Sequence, residues 1–225
     1  MTDRRTALAY LGLNALGAVA VSVVPAGAQS PTSDMRIAQE TPRGEQMKRF
    51  FPNVSLHTHD GRSVRFYDDL IKGRKVIINF TFTSCTGTCP RTSSNLAQVQ
   101  RILGDRIGKD IFLVSISIDP EHDTPAKLAE YAKNFDAQPG WTFATGRRED
   151  VDNIRRRLGL WDSPDYTQHM GLLTFGNEAE GKWGATPALD TPKNIVYYFL
   201  RRVDPFKYTP WSTEPSTVSG SKGGL

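Results

Sequence analysis

Two stretches of this chain, KVIINFTFT at 75–83 and IFLVSISID at 111–119, are apolar at nearly every position and rich in β-branched and aromatic residues. A strand with one wet face alternates apolar and polar side chains. A continuous apolar run of this length belongs to a strand covered on both faces. Each run is followed by a helical pattern. The first spans about Pro90 to Leu103, with Leu96, Val99, Ile102 and Leu103 as its inner face. The second, DTPAKLAEYAKNF, opens with Thr124 as N-cap and Pro125 at the first helical position.

The alternation continues. WTFATG is a short strand, and REDVDNIRRRLGL a helix with Val151, Ile154 and Leu158 inward and Arg155, Arg156 and Arg157 on a solvated face. HMGLLTFGN is a third core strand, and TPKNIVYYFLRRV closes the domain as a helix started by Thr191 and Pro192. Ahead of all these, NVSLHTHDGRSVRFYDDL reads as a hairpin turning at Asp60-Gly61. The order predicts an α/β fold: a mostly parallel central sheet with flanking helices and an N-terminal β-hairpin. A thioredoxin-like arrangement satisfies it. In open sheets of this type ligands bind beyond the carboxyl ends of the strands.

The first 28 residues stand apart from that domain. Arg4 and Arg5 precede an uncharged run from Thr6 to Ala28 that ends in AGA, the layout of an export signal. Cleavage after Ala28 would leave Gln29 first. The competing reading is a membrane anchor, since the run is just long enough to span a bilayer. The arginine pair also suits a twin-arginine signal. Residues 29–46 read as a polar linker, 47–204 as the thioredoxin-like domain, and 205–225, dominated by Pro, Ser, Thr and Gly, as a flexible tail. The expected location is therefore periplasmic, or the outer face of the cytoplasmic membrane. A formal net charge of +4 does not call for nucleic acid.

Both cysteines of the chain lie in TSCTGTCP, at the place where such a sheet binds ligands. Cys85 follows the first buried strand, and Cys89 precedes Pro90 at the helix start. Backbone N–H groups there favour thiolates, so lowered pKa values are expected for the pair. Two thiolates form a soft donor set that prefers Cu(I) to hard cations. A disulfide closing so short a loop would contribute little chain-entropy stabilisation, which favours a chemical over a structural role. A third, neutral ligand would come from His57, His59, His122 or His169. His57 and His59 are expected in solvent, and His122 lies in the loop DPEHDTP. His169 enters a core strand, where a histidine is more often structural. There is no C-x-x-C pair, phosphate-binding glycine loop or Ser-His-Asp elbow.

FTFTSCTGTCPRTSSNLAQVQ, VSISIDPEHDTPAKLAEYAKNF and the histidine of DYTQHMGLL together resemble the Sco/SenC family, from about Ser55 to Leu200. The resemblance implies a copper-binding protein of thioredoxin-like fold that serves cytochrome c oxidase assembly. It implies Cys85, Cys89 and His169 as the metal ligands, with copper as Cu(I), or as Cu(II) in a second state. The implied partners are a copper-accepting subunit of a respiratory oxidase and a thiol reductant protein; the anchor reading of the N-terminal segment would add membrane association. Asp119 and Asp123 match the family's acidic loop; as hard donors they are not expected as ligands, and Asp123 is expected to support the helix start. Met170 and Gly171 depart from the family pattern, and GNEAEGKWGATPALD stands where a short turn is expected. The alternative function for the same pair is thiol–disulfide exchange, with His169 tuning the thiols.

Overall fold

A computed structural model describes residues 47, 50–160 and 171–204. The expected signal, linker and tail lie outside them, as does His169. Seven strands form one sheet: β1 (Ser55–Thr58), β2 (Ser63–Arg65), β3 (Lys75–Thr81), β4 (Ile111–Ser117), β5 (Trp141–Gly146), β6 (Leu172–Asn177) and β7 (Lys182–Pro187). Their order across the sheet is β2-β1-β5-β4-β3-β6-β7. Among the described residues the α-helices that accompany them are α1 (Thr88–Leu103), α2 (Pro125–Asn134), α3 (Arg148–Arg157) and α4 (Pro192–Val203).

The two apolar runs are the sheet's central strands, paired in parallel from Lys75↔Ile111 to Thr81↔Ser117. Their residues split by parity between two cores. Ile77, Leu113 and Phe143 pack with Leu96 and Val99 of α1, Leu128 of α2 and Ile195 and Phe199 of α4. Val76, Ile78, Val114 and Ile116 pack on the other face with Val151 and Ile154 of α3 and with Phe66, Tyr67 and Leu70. Ile77 and Ile78 are successive residues, both essentially inaccessible. Burying both faces is what a continuous apolar run provides, at about 2 kcal/mol for each such side chain. The result is the expected thioredoxin-like α/β sandwich.

Three expectations change. The sheet is mixed rather than mostly parallel: only β3–β4 and β4–β5 run parallel, because only these pairs are joined by a crossover helix. The hairpin strand β1 joins β5 antiparallel, and β6 joins β3 antiparallel. Second, GNEAEGKWGATPALD holds a strand, β7, paired antiparallel to β6. Its glycines accommodate aromatic rings: Gly176 faces Trp183 and Gly184 faces Phe175. A Cβ on Gly176 would stand 2.4 Å from the Trp183 ring. Third, the inner faces of two helices shift. Ile102 is 41% exposed, while Arg155 is buried beside Val151 and Ile154, one helical turn from Val151. Its Nη1 lies 3.5 Å from Asp152. FYDDLI, read as the end of the hairpin, is a helical turn at Phe66–Ile71.

Candidate metal centre

The parallel register brings the ends of β3 and β4 side by side, with Thr81 opposite Ser117. From there the two chains enter the loops that carry the sequence's chemistry. They are joined by one buried carboxylate. Asp123, 1% exposed, accepts the Thr83 backbone N–H at 3.0 Å and the Thr83 hydroxyl at 2.5 Å. The Ser117 hydroxyl also donates to it, at 2.6 Å. Asp123 therefore does more than support the start of α2, the role expected for it. Thr124 caps that helix, its hydroxyl accepting the Lys127 N–H.

The acidic loop is itself fixed. The Asp123 N–H donates to the Asp119 carbonyl at 2.9 Å, and His122 Nδ1 sits 2.8 Å from an Asp119 carboxylate oxygen. Arg148 donates to the Ile118 carbonyl at 2.6 Å and pairs with Glu121. Thr83, Ser117 and Arg148 were invisible as site-builders in the sequence. The one signal for Thr83 and Ser117 was that both lie at the ends of the two apolar runs.

Past Thr83 the chain turns. The Cys85 N–H donates to the Phe82 carbonyl at 3.3 Å, and α1 starts at Thr88 with Gly87 as N-cap and no side chain capping it. Cys89 falls in the first turn and is 1% exposed. Pro90 fits beside it because a first-turn N–H has no intrahelical partner to lose. Cys85 is half-buried, and neither residue is in a disulfide.

The Cys89 side chain neighbours that of Cys85, and its protonation departs from expectation. Burial, reinforced by the neighbouring Cys85 side chain, pushes the Cys89 thiol up to about 12. A hydrogen bond from the Phe82 backbone favours the thiolate but does not offset the burial. Desolvation of a charge exceeds what a helix terminus returns. The metal-free site thus holds Cys89 as a thiol. A bound cation would supply the missing counter-charge and displace that proton.

A second polar feature lies under α1: the buried Ser93 and Tyr131 hydroxyls meet at 3.1 Å. Burial holds the Tyr131 phenol above its ordinary range. Sequence reasoning did not single out this pair.

Among the described residues, no group of three His, Cys, Asp or Glu side chains is placed to hold a metal ion. His57, His59 and His122 therefore do not complete a cluster with the cysteines. His57 is exposed as expected. His59 is half-buried instead, its Nδ1 accepting the Phe143 N–H at 3.2 Å. His169, the remaining histidine, lies outside the described residues. No described helix is long and apolar enough to cross a membrane.

Comparison with known proteins agrees with the arrangement of these motifs. An SCO2-like protein of Rickettsia conorii is 29% identical over 174 residues, 72% of this chain and 83% of that protein. The mitochondrial SCO1 homolog of Homo sapiens is 37% identical over 111 residues, 49% of this chain and 36% of that one. The solved structure of Bradyrhizobium japonicum ScoI with copper bound superposes with a TM-score of 0.54 at 23% identity, covering 66% of this chain and 96% of that one. The SCO1/SenC family model matches residues 42–169, a span that takes in the cysteine loop, the acidic loop and the downstream histidine. With more than half its length matched by that model, the chain belongs to the SCO1/SenC family.

Proposed function

We propose that this protein is an exported copper carrier that holds Cu(I) through Cys85, Cys89 and His169 and delivers it to the copper-accepting subunit of a respiratory oxidase. The observation that carries the reading is the thiol pair: Cys89 buried, Cys85 half-exposed, neither in a disulfide, at the uncapped start of α1. Two thiolates and one neutral imidazole suit a soft monovalent cation, and the cation offsets the charge that burial otherwise forbids at Cys89. The partial exposure of Cys85 gives an acceptor a sulfur to exchange with, while Cys89 retains the ion until transfer is complete. Copper bound to the Bradyrhizobium japonicum relative supports the same cargo. The run from Thr6 to Ala28 would direct export to the periplasm or the outer face of the cytoplasmic membrane. Mass spectrometry of the native protein is expected to find a chain beginning near Gln29.

Titration of reduced protein with Cu(I) against a chromophoric competitor tests the carrier. One ion per chain is expected, with no binding by the disulfide form and a loss of at least about a hundredfold in Cys85→Ser or Cys89→Ser. Equal binding by oxidised and reduced protein contradicts the ligand assignment.

A second reading is supported by the neighbouring positions of the two thiols, a pair that oxidation would close to a disulfide. In that reading the protein exchanges electrons with a thiol reductant protein. His169→Ala separates the two. Copper affinity collapses in the carrier, whereas dithiol exchange survives the substitution.

A further inference from the structure

The two central strands change character along one face. On the side packed by α1, α2 and α4, β3 presents Ile77 and then, by alternation, Asn79 and Thr81. In register with them β4 presents Leu113, Ser115 and Ser117. The face begins apolar and turns polar toward the carboxyl ends, where the chain enters the cysteine loop. Water does not account for the change, because all four polar residues are buried. Valine has nearly the shape of threonine, suits a covered strand and brings no polar atom that must be satisfied there.

Three of these polar side chains are anchored. The Ser117 hydroxyl donates to Asp123 at 2.6 Å. The Ser115 hydroxyl donates to Asn79 Oδ1 at 2.6 Å and accepts the Trp141 indole N–H at 2.9 Å. Asn79 keeps its amide nitrogen unpartnered but is held through that oxygen. Thr81 differs, since its hydroxyl has no hydrogen-bond partner among the described residues. It stands beside the Cys89 side chain and beside the Tyr131 phenol. The phenol is itself held by the buried Ser93 hydroxyl at 3.1 Å. An idle donor thus lies between a fixed polar pair and a sulfur.

What the donor gains there depends on the state of the sulfur. A thiol is a weak acceptor, and a hydroxyl beside it gains little. A thiolate is an anion and draws charge-assisted hydrogen bonds. The Phe82 backbone supplies the Cys89 sulfur with one donor, and the Thr81 hydroxyl is placed to supply another. An interaction made only in the charged state favours that state. A threonine of purely structural role would use its hydroxyl in the metal-free fold, where this one is idle.

We propose that Thr81 is a positioning residue of the metal centre, whose hydroxyl donates to the Cys89 sulfur once that sulfur is a metal-bound thiolate. The inference rests on the reading of Cys89 as a copper ligand. Hydrogen-bond partners of metal ligands commonly carry about 10–100-fold of the affinity.

The test pairs competition titration of the reduced full chain with Cu(I) and urea denaturation of the same chain without metal, for the parent, Thr81→Val and Thr81→Ser. Thr81→Val keeps the shape and removes the donor. It is expected to bind Cu(I) about tenfold more weakly, with a denaturation midpoint equal to or above the parent's, because a buried hydroxyl without a partner is gone. Thr81→Ser keeps the donor and is expected to recover most of the affinity, although the lost methyl lowers its midpoint. Affinity and stability thus move in opposite directions between the two variants, which a structural role would not produce. Parent-like Cu(I) affinity in Thr81→Val, or affinity that follows the midpoint in both variants, would overturn this proposal alone. A parent chain that binds no Cu(I) would overturn the carrier reading and this inference with it.

Discussion

The Asp123 carboxylate and Thr83 are joined by two hydrogen bonds across forty positions of sequence, one from the Thr83 backbone and one from its hydroxyl. Thr83 precedes Cys85 by two residues, so Asp123 sets where the cysteine loop leaves β3. Replacing Asp123 by Ala strands these donors and the Ser117 hydroxyl. A loss of about 3 kcal/mol of folding free energy is expected in urea denaturation, together with a lower Cu(I) affinity from a less ordered loop. A variant within about 0.5 kcal/mol of the parent would mean that the loop is positioned by other contacts.

Cys85 and Cys89 are expected to react unequally with iodoacetamide. Peptide mapping after brief treatment of the reduced protein at neutral pH should find the label on Cys85, since Cys89 is buried and its thiol is raised to about 12. The raised value also has a sign for stability. A group that holds its proton more tightly when folded contributes stability that is complete below its unfolded value and is lost as pH rises through the folded one. For Cys89 the window opens near its ordinary 9.0 and extends to about 12. Reduced, metal-free protein should thus lose stability at alkaline pH, and Cys89→Ser should lose less.

Gly176→Ala tests the hairpin that carries β7. The added methyl would collide with the Trp183 ring, and overpacking of this kind costs about 1–3 kcal/mol. A lowered denaturation midpoint with unchanged Cu(I) binding is expected. An unchanged midpoint would place Trp183 elsewhere in solution.

The strands that position the site were legible because their apolar runs are long and β-branched, and Thr124 and Thr191 marked two helix starts correctly. β7 was not legible. Its apolar content is supplied by single aromatics seated over glycines of the neighbouring strand, so glycine read as turn where it serves packing. Arg155 was misread for a related reason, because three successive arginines look solvated although helical period puts one of them beside Val151. The cysteines and their helix start were plain in the sequence. Their protonation was not, because burial outweighs the helix terminus and becomes visible only once the packing around Cys89 is known. The Asp123–Thr83 link depends on the register of two parallel strands, which no local pattern encodes.

X-ray absorption at the copper edge, recorded on the reduced full chain loaded with one equivalent of Cu(I), tests the central claim most directly. Two sulfur scatterers and one imidazole nitrogen are expected, with the nitrogen lost in His169→Ala and a sulfur lost in Cys85→Ser. Coordination without sulfur, or a spectrum unchanged by either substitution, would contradict the site.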